Sequence, residues 1–226
     1  MKYRSIEKAV FLSRPNRFIA NIQIHGTTEL CHVKNTGRCR ELLIPGVIVY
    51  VEVHSDVKRK TKYSLIAVDK KGKIINMDSQ APNKLVKEWV QEKKPFGEIT
   101  LLKPETTFGD SRFDFYMETK EHRIFMEVKG VTLEENGIVR FPDAPTERGV
   151  KHIMELIEAK KQGYECYLLF VIQMRGVQYF TPNDMTHKAF GDALRLAHET
   201  GVKILAYDCL VEPDYVQIND KVEIRI

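Results

Sequence analysis

The stretch YECYLLFVIQ, Tyr164 to Gln173, leaves little choice about its surroundings. An apolar run of this length without alternation reads as a strand buried on both faces, and it is far too short to cross a bilayer. Such a strand needs a layer on each side of its sheet. The neighbouring sequence supplies helices. Thr146 to Gln162 sets Val150, Ile153, Met154 and Ile157 on one face and stops at Gly163. His187 to Thr200 stops at Gly201 and leads into a second buried-type strand, Val202 to Tyr207. Upstream, Pro82 to Val90 has helical spacing with proline in its first turn, and 112–118 and 122–129 read as strands. From residue 81 the order is therefore α-β-β-α-β-α-β, an α/β (mixed α+β) arrangement of helices on a mixed sheet.

The first 80 residues carry a different pattern. Phe18 to Ile24 alternates and meets a turn at His25-Gly26 before Thr28 to Val33. Val47 to Val53, Tyr63 to Val68 and Lys73 to Met77 complete five short strands, which suit a small closed barrel of the OB type. The boundary is expected near residue 80, giving units of 1–80 and 81–226. No repeat, low-complexity tract or flexible linker marks it.

Charge divides at the same place. Residues 1–80 hold 15 Lys+Arg against 7 Asp+Glu, a net of +8, while 81–226 hold 20 against 24, a net of −4. A basic module joined to an acidic one points to a polyanion partner and a cation site, although uneven surface charge is common. The segment Met1 to Arg17 mixes charges and lacks the apolar core of a signal peptide, so the expectation is a cytoplasmic protein with no membrane partner. Cysteines 31, 39, 166 and 209 fit no metal spacing and read as reduced, packed thiols.

Two of the strands carry charge where a buried strand should not. Asp114 lies inside FDF, and Glu127 and Lys129 flank Val128 in FMEVKG. Alternation puts Glu127 and Lys129 on one face, roughly 6–7 Å apart. An antiparallel hairpin of 112–117 with 124–129 brings Asp114 close to Glu127. Two carboxylates so placed repel unless a cation sits between them, and hard ions such as Mg²⁺ or Mn²⁺ take oxygen ligands. Lys129 would then stand beside a metal-bound water, the arrangement that phosphodiester hydrolysis needs. The competing reading is an edge hairpin with a Glu–Lys pair on its wet face.

Aspartate in one apolar strand, Glu-x-Lys in the next and then a helix resembles the PD-(D/E)xK nuclease superfamily over roughly residues 81–210. Phe113 stands where that motif has proline. The resemblance implies Asp114, Glu127 and Lys129 as catalytic residues and Asp114, Glu127 and the Val128 carbonyl as metal ligands. It also implies an acid on the preceding helix, with Glu88 ahead of Glu92 and Glu98. On the later helix, Arg148, Lys151, His152 and Glu155 share a polar side. Glu147 and Arg148, in the first turn, fall close to the proposed site, and a functional role and a solvated one stand level for both, with Arg148 the candidate for a phosphate backbone; Lys151 and His152 read as solvated.

The stretch HVKNTGRCRELLIPG concentrates Lys34, Arg38 and Arg40 around Asn35, Thr36 and Gly37, types that offer cations and hydrogen bonds to phosphate or base. Arg14 and Arg17, in RPNR, add charge to this surface, Arg17 as a candidate nucleic-acid contact. Phe18 and Tyr50 are available aromatics, with an inward position expected for each, and Lys58 to Lys62 reads as a solvated hairpin tip. Across the chain, RFIANI, HVKNTGR, PNKLV, SRFDF, MEVKGVTL and FPDAPTERGVKHIMEL occur in order. Together they are similar to the sugar fermentation stimulation protein A family, nearly end to end. That resemblance implies an OB-like domain, a nuclease-like domain, DNA binding and a role in regulating sugar-utilisation genes.

Two functions follow as expectations. One is a metal-dependent nuclease acting on DNA, with RNA not separated from it. The other is a non-catalytic DNA-binding regulator built on a nuclease scaffold. A protein-interaction module of carbohydrate metabolism is a distant third, since no sugar pocket or nucleotide loop is visible. Tyr215 to Ile226 alternates and offers an edge through which a homodimer could pair.

Overall fold

The computed structural model describes residues 1–35, 37–56 and 58–226. Its first sheet runs β3-β2-β1-β4-β5-β6. The strands are β1 (Ile6–Asn16), β2 (Ile19–Ile24), β3 (Thr27–Val33), β4 (Ile48–Val53), β5 (Tyr63–Lys70) and β6 (Lys73–Asn76). A parallel pairing of β3 with β5, His32 opposite Ser64, closes β1 to β5 into a five-stranded barrel. The expected strand count holds, but one member differs. β1, hidden by the charges Glu7, Lys8 and Arg14, sits centrally between β2 and β4 and buries Ala9 and Phe11. β6 extends the sheet from β5 instead of closing it.

Helix α1 (Ala81–Lys93) follows, with proline in its first turn and Leu85, Val86, Trp89 and Val90 buried. The second six-stranded sheet has the order β15-β14-β12-β9-β8-β7. It comprises β7 (Leu101–Phe108), β8 (Ser111–Glu118), β9 (Arg123–Val131), β12 (Glu165–Ile172), β14 (Lys203–Glu212) and β15 (Tyr215–Lys221). β12 lies at its centre, parallel to both β9 and β14, and seven of its eight residues are buried. β7 was not expected from the sequence. Pro104 interrupts its pattern, and the strand is tolerated because it lies at the sheet edge.

A smaller sheet joins β10 (Glu134–Glu135), β11 (Ile138–Phe141), β13 (Tyr179–Pro182) and β16 (Glu223–Ile224). Thr146 caps α2 (Glu147–Lys161), its side chain accepting from the Gly149 N–H at 3.0 Å. α2 buries His152, Ile153, Leu156 and Ile157, whereas Met154, expected on the apolar face, is exposed. α3 (Asp184–Glu199) is broken at His187. The expected C-terminal edge is divided. Met1 pairs with Val216 along β15, and Glu223–Ile224 leaves to join β13. All four cysteines are buried and free. Among the described residues no helix is long and apolar enough to cross a membrane.

The two halves share packing. Val131 and Val139 belong to the same apolar cluster as the barrel interior, and Ile66 and Ala67 pack with the α1 residues. A buried polar chain crosses the junction. Gln173, just past β12, donates to the Asn76 side chain at 2.8 Å and to the Asp78 carbonyl at 3.1 Å.

Candidate functional site

β8 and β9 pair antiparallel from Glu118 opposite Arg123 to Phe115 opposite Met126, and the ladder then stops. The next position on β8 is Asp114. Phe113 packs against Phe125 and the His152 ring on the α2 side, while Phe115 joins Met126 in the cluster under α1. Side chains one residue either side of Asp114 thus lie on opposite faces, and Asp114 turns into the gap toward β9. Its Oδ2 accepts the Val128 N–H at 2.7 Å and its Oδ1 accepts the Asn83 side-chain amide at 2.7 Å. The N–H and C=O of one strand residue point the same way, so the Val128 carbonyl is directed to that gap as well.

Glu127 and Lys129 project from β9 toward α2. Glu127 is only 3% exposed. Its Oε1 receives the Lys129 ammonium at 2.5 Å and lies 2.5 Å from His152 Nδ1, while its Oε2 is buried without a partner among the described residues. Burial pushes the Glu127 carboxyl up, but His152 and Lys129 outweigh it and hold the group below the usual glutamate range. Asp114 goes the other way. Burial first and the Glu127 charge second raise it, against the Val128 N–H and Asn83. Two neighbouring carboxyls are thereby pushed apart, the condition in which a bound cation relieves most.

Whether a metal fits is decided by these atoms. No group of three or more His, Cys, Asp and Glu is assembled among the described residues. What is present is a pair of carboxylates, one with a buried oxygen orphaned among the described residues, and a backbone carbonyl directed into the gap that Asp114 enters. Mg²⁺ is held in that way, by one or two carboxylates with water and substrate oxygens completing its shell. The donor set fits a hard divalent ion.

Two members of this cluster were not found from the sequence. Asn83 was visible only as part of PNKLV; its place in the first turn of α1, with an aspartate expected nearby, was the available signal. His152 was read as solvated, yet it is 5% exposed and bridges Glu127 to Arg148, whose Nε lies 3.3 Å from His152 Nε2. Its spacing of one turn from Arg148 placed it beside that residue but gave no sign of its burial against Glu127. Arg148 therefore stands beside the site as expected. Glu88 does not. Its carboxylate pairs with the Met1 amino group at 2.8 Å, on a different side of α1 from Asn83. Five residues turn a helix through well over a third of a circle beyond one full turn, so Glu88 and Asn83 cannot address the same atom.

The basic loop is held by Arg14, which the sequence reading counted only as added charge. The Arg14 guanidinium donates to the carbonyls of Arg17, Asn35, Gly37 and Arg38 at 2.6–2.9 Å. Asn35 Oδ1 accepts the Gly37 N–H at 2.8 Å, the local turn expected of this residue type. Arg17, Arg38 and Arg40 are exposed, and the Arg17 guanidinium lies 5.3 Å over the Phe18 ring. Phe18, expected inward, is 47% exposed. Lys34 is not a free cation. Its ammonium pairs with Asp78 at 3.2 Å and Glu52 at 3.7 Å. Thr36 lies outside the described residues. The loop rests on the second half of the chain, since a Cβ on Gly37 would fall 2.7 Å from Asp143 Oδ2.

Comparison with known proteins covers the same ground. Residues 80–215 match the family described as the Sugar fermentation stimulation protein RE domain, and residues 12–77 match the SfsA N-terminal OB domain. A Sugar fermentation stimulation protein homolog of Ruminiclostridium cellulolyticum is 58% identical over 226 residues, covering 100% of each chain. One of Clostridium beijerinckii is 58% identical over 224 residues, covering 99% of each. Among solved structures, that of Pyrococcus furiosus SfsA in complex with Ca²⁺ superposes with a TM-score of 0.92 at 29% identity, covering 100% of this chain and 98% of the other.

Proposed function

The chain belongs to the sugar fermentation stimulation protein family, and from that premise we propose that it is a DNA-binding protein with a metal-dependent phosphodiesterase site. The observation that carries the reading is the convergence of Asp114 and Glu127, with Glu127 Oε2 buried and without a partner among the described residues, beside the Lys129 ammonium. The Ca²⁺ complex of the relative, which superposes along its whole length, supports a divalent ion here. Asp114, Glu127 and the Val128 carbonyl would hold Mg²⁺ or Mn²⁺. Held there, such an ion would supply positive charge to a phosphodiester oxygen and to water at neutral pH.

The chain's own residues divide the remaining work. Lys129 holds a water beside the site and meets the negative charge that grows in the transition state. His152 fixes the Glu127 carboxylate, and Arg148 stands one helical turn away to meet a backbone phosphate. Residues 1–80 form the gripping unit through Arg17, Arg38, Arg40 and the turn at Asn35 to Gly37, and residues 81–226 form the cutting unit. Purified protein is expected to nick plasmid DNA with Mg²⁺ or Mn²⁺. Glu127→Ala and Lys129→Ala should each lower that rate by a factor on the order of 10²–10⁴. Cleavage that survives both substitutions places the chemistry elsewhere.

A second reading, a DNA-binding regulator on a silent nuclease scaffold, draws on one observation. Asp114 already spends both oxygens on Asn83 and Val128, and Lys129 is already paired with Glu127. Tight salt-dependent binding with no cleavage in either metal would select it.

A further inference from the structure

A cavity of about 110 Å³ lies where the barrel loop meets the carboxyl ends of β9 and β12. Its walls come from both halves of the chain. Asn35 belongs to the basic loop, Gly130 directly follows Lys129, Gln173 follows β12, and Arg140, Phe141 and Asp143 come from β11 and the residues after it. In open sheets with parallel strands, the crevice at the carboxyl ends is where ligands bind.

Two glycines let the walls of this cavity approach each other closely. Gly130 has no positive φ, so backbone conformation does not demand glycine there. Space does. A Cβ at Gly130 would fall 2.6 Å from Gln173 Oε1 and 2.8 Å from Pro82 Cγ, and one at Gly37 would fall 2.7 Å from Asp143 Oδ2.

The polar groups on the walls are of both kinds. Gln173 is 1% exposed, and its NH₂ is committed to Asn76 and Asp78; its Oε1, against Gly130, receives no hydrogen bond among the described residues. Asp143 adds a second acceptor. Asn35 uses its Oδ1 on Gly37, which leaves its amide N–H groups as donors, and Arg140 brings a guanidinium whose nearest partner, Glu135, lies 3.7 Å away. A phosphate would need donors alone, and the Asp143 carboxylate would repel it. A base edge presents donors and acceptors side by side. The volume is a few times the ~30 Å³ share of one liquid water, well under the ~300–1,000 Å³ of a pocket for a drug-sized ligand. One flat heterocycle is the class of ligand that matches in size and in edge chemistry.

We propose that this cavity receives a single unpaired nucleobase turned out of its strand, so that the favoured substrate is nucleic acid carrying an unpaired position. The inference rests on the nucleic-acid reading above. Extruding a base from intact duplex costs a few kcal/mol, and least where pairing is already lost, so the preference should show directly in affinity.

The test uses the full chain without divalent metal and two DNA duplexes that differ only at one 2-aminopurine, paired in one and left unpaired in the other. Fluorescence anisotropy gives affinities, and 2-aminopurine emission reports its surroundings. The unpaired duplex is expected to bind about tenfold tighter, with a change in emission on binding. Arg140→Ala, at the cavity rim, and Gln173→Met, at its floor, should each bring the affinity ratio toward one. Gln173→Met also removes bonds to Asn76 and Asp78, so Arg140→Ala decides if that variant does not fold. Equal affinity for the two duplexes overturns the cavity's role and leaves DNA binding standing, as does a preference that persists in every folded variant. Failure of the wild type to bind either duplex overturns the nucleic-acid reading and this inference with it.

Discussion

The loop that carries Arg38 and Arg40 and the strands that carry Asp114 and Glu127 both hold charge in position, and they do so by opposite means. In the loop, one guanidinium gathers four backbone carbonyls, so the backbone is fixed while the neighbouring arginine side chains stay in water. On the strands the charges themselves are buried and fixed by one another, by His152 and by the Val128 N–H. Exposed charge is cheap and acts almost additively. Buried charge is costly, strongly coupled and correspondingly specific. Under the proposed function, the contrast would give affinity to the loop and chemistry to the strands.

The comparison breaks most easily at Arg14. Arg14→Ala removes four donated hydrogen bonds and should lower the unfolding free energy by about 2–4 kcal/mol, measured by urea titration. Arg14→Lys should recover little of it, since an ammonium cannot span that fork of carbonyls. An unchanged midpoint would mean that the loop is held some other way.

A smaller effect sharpens the strand side. Asp114 is held above the ordinary aspartate value of 3.8, so ionising it costs the metal-free fold stability as pH rises from that value through its raised pKa. Glu127, held low, contributes stability above the ordinary glutamate value of 4.5 and loses it as pH falls through its depressed pKa. A bound divalent ion removes the Asp114 cost only where both groups are ionised. The rise in Tm on adding Mg²⁺ or Ca²⁺ should therefore be largest near neutral pH, fade through the acid carboxylate range and vanish in Glu127→Gln, read by differential scanning calorimetry. A metal shift indifferent to pH and to that substitution would place the ion elsewhere.

The smallest effects belong to the exposed arginines. Arg38→Ala and Arg40→Ala should each reduce the slope of log affinity against log salt by about one, with stability changed by no more than about 0.5 kcal/mol. A steep loss of fold stability in either would erase the distinction between the two regions.

What the sequence made legible follows the same division. The central strand β12 and its helices could be read because apolar runs and helical spacing are local signals. The approach of Asp114 to Glu127 could be read because it needs only one hairpin. β1 could not, since its outward charges mask alternation in a strand whose neighbours come from elsewhere in the barrel. β7 escaped because proline argues against a strand anywhere but at an edge, and edge position is a property of the whole sheet. His152 and Lys34 were misjudged for one reason. Their partners, Glu127 and Asp78, lie 25 and 44 residues away, beyond the reach of any local pattern.

Asp114 supplies a crosspiece between two strands that the main chain elsewhere supplies for itself. A main-chain crosspiece survives almost any exchange of residue; one made from a side chain is at the mercy of a single codon. At this one position the architecture of the hairpin and the metal-holding role proposed for it would therefore be inherited together, and neither could drift without the other.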